Sequence, residues 1–405
     1  MTASPSESIG LAARVAAPAQ GWVLGRGASG SGAASVHIWG LSPEERLLRS
    51  LRRAGCHVPE VVPEARAEAP TPTVVLCRGD VILDERIVTA LAERAGIVVV
   101  AADLGPIAAH VAAADAPLAG RVLRGDADAA SVAGATVVDA ATITTGYVKK
   151  LRKWEPLYAY AAHPDRVREV EARTFDASYK GATDLVTKWL WPRPAAAATR
   201  WCARRGVAPN TVTLVSWVLA LAAIALFAHG AFALGLVTAW AMTFLDTVDG
   251  KLARVTLTSS RLGDVLDHSL DLLHPPFWWF AWGVGVGTGH ELATAIAVGG
   301  YVVGRLLEGA FLAAFKIETH SWRPIDAMFR TITARRNPNL ILLTVGTAGG
   351  RPDLGLVMLA LWTVFSLGFH VTRLVQAFFA RGRGDAIVAW DDGPHRAGVP
   401  SLPTP

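Results

Sequence analysis

The chain has 405 residues, 52% of them apolar and 18% charged, and a net charge of +5. Set against the roughly 25% charge of an ordinary soluble domain, this shortage argues against a wholly soluble protein and against a disordered one. So small a positive excess gives no reason to expect a nucleic-acid partner. Cys56, Cys77 and Cys202 lie far apart with no CxxC spacing, so neither a zinc site nor a disulfide framework is expected, and a reducing compartment is the default.

The first twenty residues mix Ser6, Glu7, Arg14 and Gln20 with small residues and build no apolar core; no secretory signal is read, and the N-terminus is expected in the cytoplasm. Up to about residue 145, short β-rich runs alternate with helical stretches, which predicts an α/β domain with a parallel sheet. The candidate strands are residues 22–24, 74–77, 97–101 and 136–138. Ser42, Pro43 and Glu45 form a capping box ahead of a helix over 46–54. Residues 149–165 read as a charged connector. In 179–205, Lys180, Lys188, Arg193, Arg200, Arg204 and Arg205 are interleaved with Trp189, Trp191 and Trp201, as suits an amphipathic helix at the lipid headgroup level. The expected division is 1–145, cytoplasmic α/β domain; 146–210, connector and interfacial helix; 211–380, helical membrane domain; and 381–405, cytoplasmic tail.

The apolar spans fall at 212–228, 231–245 and onward, 262–286, 292–315, 340–348 with flanks, and 354–379. A helix needs roughly twenty residues to cross, so the pattern predicts six crossings of the cell (inner) membrane with both termini on one side. Loops 229–230 and 287–291 hold no lysine or arginine, and 349–353 holds only Arg351. The opposite loops hold Lys251, Arg254 and Arg261, then Lys316, Arg323, Arg330, Arg335 and Arg336. By the positive-inside rule these, and the N-terminal domain, face the cytoplasm.

The second span runs into Asp246, Asp249, Gly250, Lys251, Ala253 and Arg254, and the third opens with Gly263, Asp264, Asp267 and Asp271. On helices, Asp246, Asp249 and Ala253 share one face, and Gly263, Asp267 and Asp271 another. Carboxylates at such depth cost about 2.5–3.5 kcal/mol each, so four require a wet cavity and shared cations. With no cysteine and little histidine nearby, the donor set suits Mg²⁺ or Mn²⁺. Gly250 and Gly263 leave room for a phosphate to approach.

Asp246-x2-Asp249-Gly250-x2-Ala253-Arg254-x8-Gly263-x3-Asp267-x3-Asp271 resembles, without mismatch, the signature of the CDP-alcohol phosphatidyltransferases. The resemblance covers about 175–380 and implies six membrane helices, commonly as a homodimer, with a metal site facing the cytoplasm. It implies Asp246, Asp249, Asp267 and Asp271 as metal ligands, with Asp267 and Asp271 catalytic and Asp271 the base for an acceptor hydroxyl. Asn210 and Thr213, in a Pro-Asn-x2-Thr opening to the first span, would help hold the CDP moiety beside Gly250, Ala253, Arg254 and Gly263. The implied reaction transfers a phosphatidyl or phosphopolyol group from a CDP-alcohol to a hydroxyl, releasing CMP.

Basic residues at the membrane edge, namely Arg305, Arg335 and Arg336, are candidates for an acceptor's phosphate. Arg305 has an alternative partner in Glu308, three residues on. The stretches Ser321 to Asp326 and Ala334 to Pro338 resemble the branch that carries a cytoplasmic nucleotidyltransferase-like domain, which points to inositol phosphate or another phosphorylated polyol as acceptor. Gly25-x-Gly27-x2-Gly30 and Asp80 resemble a nucleotidyltransferase in outline, but no lysine precedes Lys149, so a degenerate domain is expected over one that makes the CDP-alcohol from CTP. A cation transporter with an aspartate-lined cavity is a further alternative, although it would not require the DGxxAR spacing.

Overall fold

The computed structural model describes residues 18–25, 36–148 and 151–390, without the side chains of Arg261, Leu262, Asp264, Leu266, Asp267 and His268. The glycine loop beyond Gly25 therefore lies outside the described residues. The chain forms two compact units. One comprises 1–146, 155–177 and 255–257, and the other 147–154, 178–254 and 258–405.

In the first unit β1 (Gln20–Leu24), β2 (His57–Val62), β3 (Thr73–Arg78), β5 (Ile97–Ala101), β6 (Gly105–Ala112) and β7 (Thr136–Asp139) form one sheet in the order β2-β1-β3-β6-β5-β7. β1 runs parallel to β2 and β3, and β5 parallel to β7, whereas β6 runs antiparallel to both β3 and β5. The sheet is thus mixed, which corrects the all-parallel expectation. The cause is the tight turn between β5 and β6, where Leu104 N bonds Ala101 O and Gly105 adopts φ 67°, so the chain reverses without a crossover helix. β4 (Val81–Leu83) pairs antiparallel with β10 (Ala159–Ala161).

Alternation along β3 sends Val75 and Cys77 to one face and Val74 and Leu76 to the other. The first face packs Leu47 and Leu51 of α1 (Pro43–Arg53) and Ile87 and Leu91 of α2 (Glu85–Ala92); the second packs Val122 and Leu123 of α3 (Ala116–Arg124). α1 begins at Pro43, and its capping box is complete, with Ser42 Oγ accepting from Glu45 N at 3.1 Å and Glu45 Oε2 from Ser42 N at 3.0 Å. Burial pushes the Cys77 thiol up, and that of Cys56 up to about 11, so neither is a ready nucleophile.

The unit is closed by polar clamps. Trp39, fully buried, donates from Nε1 to Thr174 Oγ1 at 2.8 Å on α4 (Val167–Ala177). Arg86 binds Asp84 through Nε and Nη2 at 3.0 and 2.6 Å, and its Nη1 donates to the carbonyls of Gly146 and Glu155 at 2.9 and 3.0 Å. Removing one partner of a buried pair strands the other, so Arg86→Met is expected to destabilise this unit by about 3 kcal/mol. Denaturant unfolding of the full-length chain, followed in detergent, measures it; an unchanged midpoint would refute the clamp.

The second unit holds a small pair, β8 (Tyr147–Val148) with β9 (Lys153–Trp154), and then helices. α5 (Pro192–Arg204) is followed by α6 (Pro209–Ala228), α7 (Phe232–Val255), α8 (Arg261–Val286), α9 (Glu291–Phe315), the short α10 (Pro324–Phe329), α11 (Arg336–Ala348) and α12 (Pro352–Gly382). Among the described residues four helices, α6, α7, α9 and α12, are long and apolar enough to cross a membrane. α11 has only 13 residues, and α8 carries acidic residues at its start.

The core of the bundle is aromatic. Trp278, Trp279 and Trp282 of α8 are fully buried, and Phe227 meets the Trp278 and Trp282 rings. Leu214, Val218 and Leu221 of α6, Leu292 and Leu306 of α9, and Leu361 and Phe379 of α12 are exposed, an apolar exterior that water would not tolerate. α11 and α12 touch backbone to backbone, since a Cβ on Gly346 would lie 2.5 Å from the Cα of Gly355.

Candidate active site

α7 continues helical through the Asp-Gly run to Val255, and Ser260 Oγ caps α8 by accepting from Gly263 N at 3.0 Å. The acidic residues of both helices therefore project from regular turns, as their spacing requires. Arg336, at the start of α11, joins the two sets. Its Nη2 lies 2.6 Å from Asp246 Oδ2 and its Nη1 2.7 Å from Asp271 Oδ1.

Asp249 is buried, and its Oδ2 accepts from Thr213 Oγ1 of α6 at 2.5 Å. Asn210, one turn before Thr213, borders Gly263, where an added Cβ would stand 3.0 Å from Asn210 Oδ1 and 3.1 Å from Ser260 Oγ. Only glycine fits there without displacing a hydrogen-bonding group. Arg254 Nη1 donates to the Gly250 carbonyl at 2.8 Å. The structure thus brings Asn210, Thr213, Asp246, Asp249, Gly250, Arg254, Gly263 and Asp271 to one end of α6, α7 and α8, with Ala253 half-buried on α7. Asp267 lies on α8 between Gly263 and Asp271, but its side chain, like that of Asp264, is outside the described residues.

Among the described residues no group of three or more histidine, cysteine or acidic side chains is arranged to hold a metal ion. The donor chemistry does fit one. Two carboxylates from different helices already converge on a single positive group, and every donor is a hard oxygen, the set that Mg²⁺ and Mn²⁺ prefer.

A second cluster surrounds Glu308. Arg305 and Arg335 both form ion pairs with Glu308 Oε2, Arg335 at 2.5 Å, while His370 Nε2 approaches Oε1 at 3.8 Å. The Arg305 guanidinium also lies over the Tyr301 ring, and Tyr301 Oη donates to the Asp271 carbonyl at 3.0 Å, which ties α9 to the acidic end of α8. A cavity beside Arg305 is lined by Tyr301, Thr333, Thr363, Ser366 and His370. Burial, then nearby Arg330, Arg335 and Arg152, holds His320 well below its usual range, and its Nε2 lies 2.8 Å from Arg152 Nη1 and 2.9 Å from Glu318 Oε2.

Sequence reading paired Arg305 with Glu308 as one alternative, and the structure makes that pair while adding Arg335 to it. Reading by spacing missed that Arg336 bridges Asp246 and Asp271, and that Arg373 is engaged by Asp326 at 2.5 and 2.8 Å. The available signal was an arginine pair at the N-terminus of a helix, where the macrodipole disfavours cations and acidic partners must compensate. Asp80, at the turn after β3, is held bidentately by Arg78 at 2.9 and 2.7 Å.

Comparison with known proteins bears on this site directly. Residues 206–372 match the family described as CDP-alcohol phosphatidyltransferase. A phosphatidylinositol phosphate synthase of Streptomyces avermitilis is 41% identical over 69 residues, which is 17% of this chain and 28% of that protein; the chain thus spans little more than a quarter of its curated relative. Among solved structures, the Mycobacterium tuberculosis phosphatidylinositol phosphate synthase PgsA1 with CDP-DAG bound is 19% identical with a TM-score of 0.37, covering 45% of this chain and 94% of that one. The same enzyme in complex with manganese and citrate gives the same identity and score, over 45% and 88%. The family match spans the helices that carry Asn210, Thr213, all four motif aspartates and the three arginines, and it covers residues 206–372, a little over two fifths of the chain.

Proposed function

We propose that the protein is an integral membrane transferase that moves a phospho-alcohol group from a CDP-alcohol to an acceptor hydroxyl and releases CMP. The observation that carries this reading is the convergence of Asp246, Asp249 and Asp271 with Asn210, Thr213 and Gly263 at one end of three helices, inside the matched segment.

Asp246, Asp249, Asp267 and Asp271 would hold Mg²⁺ or Mn²⁺, which when bound supplies charge neutralisation at the donor's diphosphate. Thr213 fixes the Asp249 carboxylate by its hydrogen bond and, with Asn210, borders the place for the CDP moiety. Gly250 and Gly263 keep that place open, and Arg254, held to the Gly250 carbonyl, adds positive charge at its rim. Asp271, with a half-exposed carboxylate, takes the proton from the attacking hydroxyl. Positioning and charge stabilisation supply most of the rate, as in other phosphoryl transfers.

The acceptor in this reading is a phosphorylated polyol such as inositol phosphate, met by Arg305 and Arg335 where they share Glu308. The six helices α6 to α9, α11 and α12 cross the membrane with both termini cytoplasmic, and the enzyme works as a homodimer. The segment before α6 lies at the headgroups. Trp189, Leu190 and Trp201 are exposed, with Lys188 and Arg205 stacked over the Trp189 and Trp201 rings, the mixture an interface favours. The N-terminal domain is a degenerate nucleotidyltransferase-like unit; the lack of any lysine before Lys149 supports this.

The test is CMP release from CDP-alcohol donors by the purified protein across a panel of acceptors. EDTA should abolish it, and Mg²⁺ or Mn²⁺ should restore it. Undiminished turnover in the chelated protein would refute the mechanism.

A further inference from the structure

We infer that Arg336 is a resident counter-ion that competes with the divalent metal for Asp246 and Asp271 and so sets the affinity of the site. The inference rests on the metal reading above and deepens it.

The two carboxylates come from different helices, α7 and α8, and Arg336 comes from a third, α11. Its guanidinium divides its two terminal nitrogens between them, at 2.6 Å to Asp246 and 2.7 Å to Asp271, and is itself largely buried. Asp246 is nearly inaccessible as well, at 8% side-chain exposure. A buried carboxylate and a half-exposed one drawn to the same point repel each other, and the burial of Asp246 weakens the screening between them. Arg336 removes that repulsion, which explains why an arginine is tolerated at the N-terminal end of a helix, where the macrodipole opposes it.

The same contacts set a cost on metal binding. A divalent ion on these oxygens would stand within a few ångströms of the guanidinium, and two cations at that separation repel. The side chain must therefore withdraw from at least one carboxylate when the metal enters. Arg336 is thus a positioning residue that acts through the aspartates. It holds α7, α8 and α11 in register before the ion arrives and is released as a free cation beside the bound diphosphate afterwards.

Titration of the full-length protein in nanodiscs with Mn²⁺, followed by loss of the free-ion EPR signal, tests this without recourse to activity. Arg336→Gln should bind Mn²⁺ at least about tenfold more tightly than the wild type. It should also melt at a lower temperature without metal and regain more of that loss on adding Mn²⁺ than the wild type gains. Arg336→Lys keeps the charge but loses the bidentate fork and should fall between the two; it also carries the test if the glutamine variant does not fold. Unchanged or weakened Mn²⁺ affinity in the variants, with a wild type that binds, overturns the competition and leaves the metal reading standing. Absence of Mn²⁺ uptake by every form overturns both.

Discussion

Asp246→Asn, Asp249→Asn and Asp267→Asn, made singly, are each expected to lower the rate of CMP release about a thousandfold, with loss of divalent-ion affinity in parallel. At 1.36 kcal/mol per factor of ten this is ~4 kcal/mol of transition-state stabilisation, the upper part of what one preorganised electrostatic group contributes. The three substitutions keep shape and remove the charge together with one acceptor oxygen. Asp249→Asn carries an added structural signature, because Thr213 Oγ1 and Gly250 N both donate to the carboxylate and an amide oxygen can accept at only one of the two places, so the variant should melt somewhat lower as well as fail to turn over. Asp271→Asn should differ in kind, losing turnover while retaining most of its Mn²⁺ affinity, as expected of a group that serves the nucleophile. Metal titration beside steady-state kinetics separates the two patterns; equal loss of metal in all four variants would remove the case for Asp271 as base.

Arg305→Ala should raise KM for a phosphorylated acceptor about ten- to a hundredfold, the worth of a charge-assisted hydrogen bond at ~1.5–3 kcal/mol, with KM for the CDP donor nearly unchanged. The geometry sharpens the reason. Arg305 and Arg335 share one carboxylate, Glu308, so two positive charges are balanced by one negative charge, with His370 the third neighbour. An acceptor's phosphate supplies the missing negative charge, whereas an uncharged alcohol would leave the imbalance standing. Equal rises for donor and acceptor would place Arg305 in donor binding or folding, and a preference for an unphosphorylated alcohol would refute the assignment.

What could be read from the sequence was whatever depends on short-range spacing. The acidic faces of α7 and α8 follow from the helical period, the α1 capping box from Ser42 and Glu45, and the apolar helices from composition. Pairings across long stretches of chain could not be read so. Arg336 meets Asp246 and Asp271 across 90 and 65 residues, and Arg373 meets Asp326 across 47; nothing local marks which of many arginines will do this. The mixed sheet escaped for a related reason. β6 begins at Gly105-Pro106, which reads as a turn, and only its pairing with β3 and β5 makes the run a central strand. β2 carries Pro59, which argues against a strand until its place at the sheet edge is known. The expected spans at 262–286 and 340–348 went beyond the four helices that are long and apolar enough to cross, because α8 opens on acidic residues and α11 has only 13 residues.

If α11 crosses a bilayer as proposed, its brevity makes its surroundings sensitive to lipid thickness. Thirteen residues rise about 20 Å, some 10 Å less than a bilayer's hydrocarbon thickness, and α11 cannot slide to compensate, because Gly346 locks it against Gly355 of α12. In that arrangement Arg335, at its N-cap, and Arg336, its first residue, would lie below the level of the headgroups. A thicker bilayer would then have to thin locally around this one helix, and acyl-chain length would act on the protein where Arg336 meets Asp246 and Asp271.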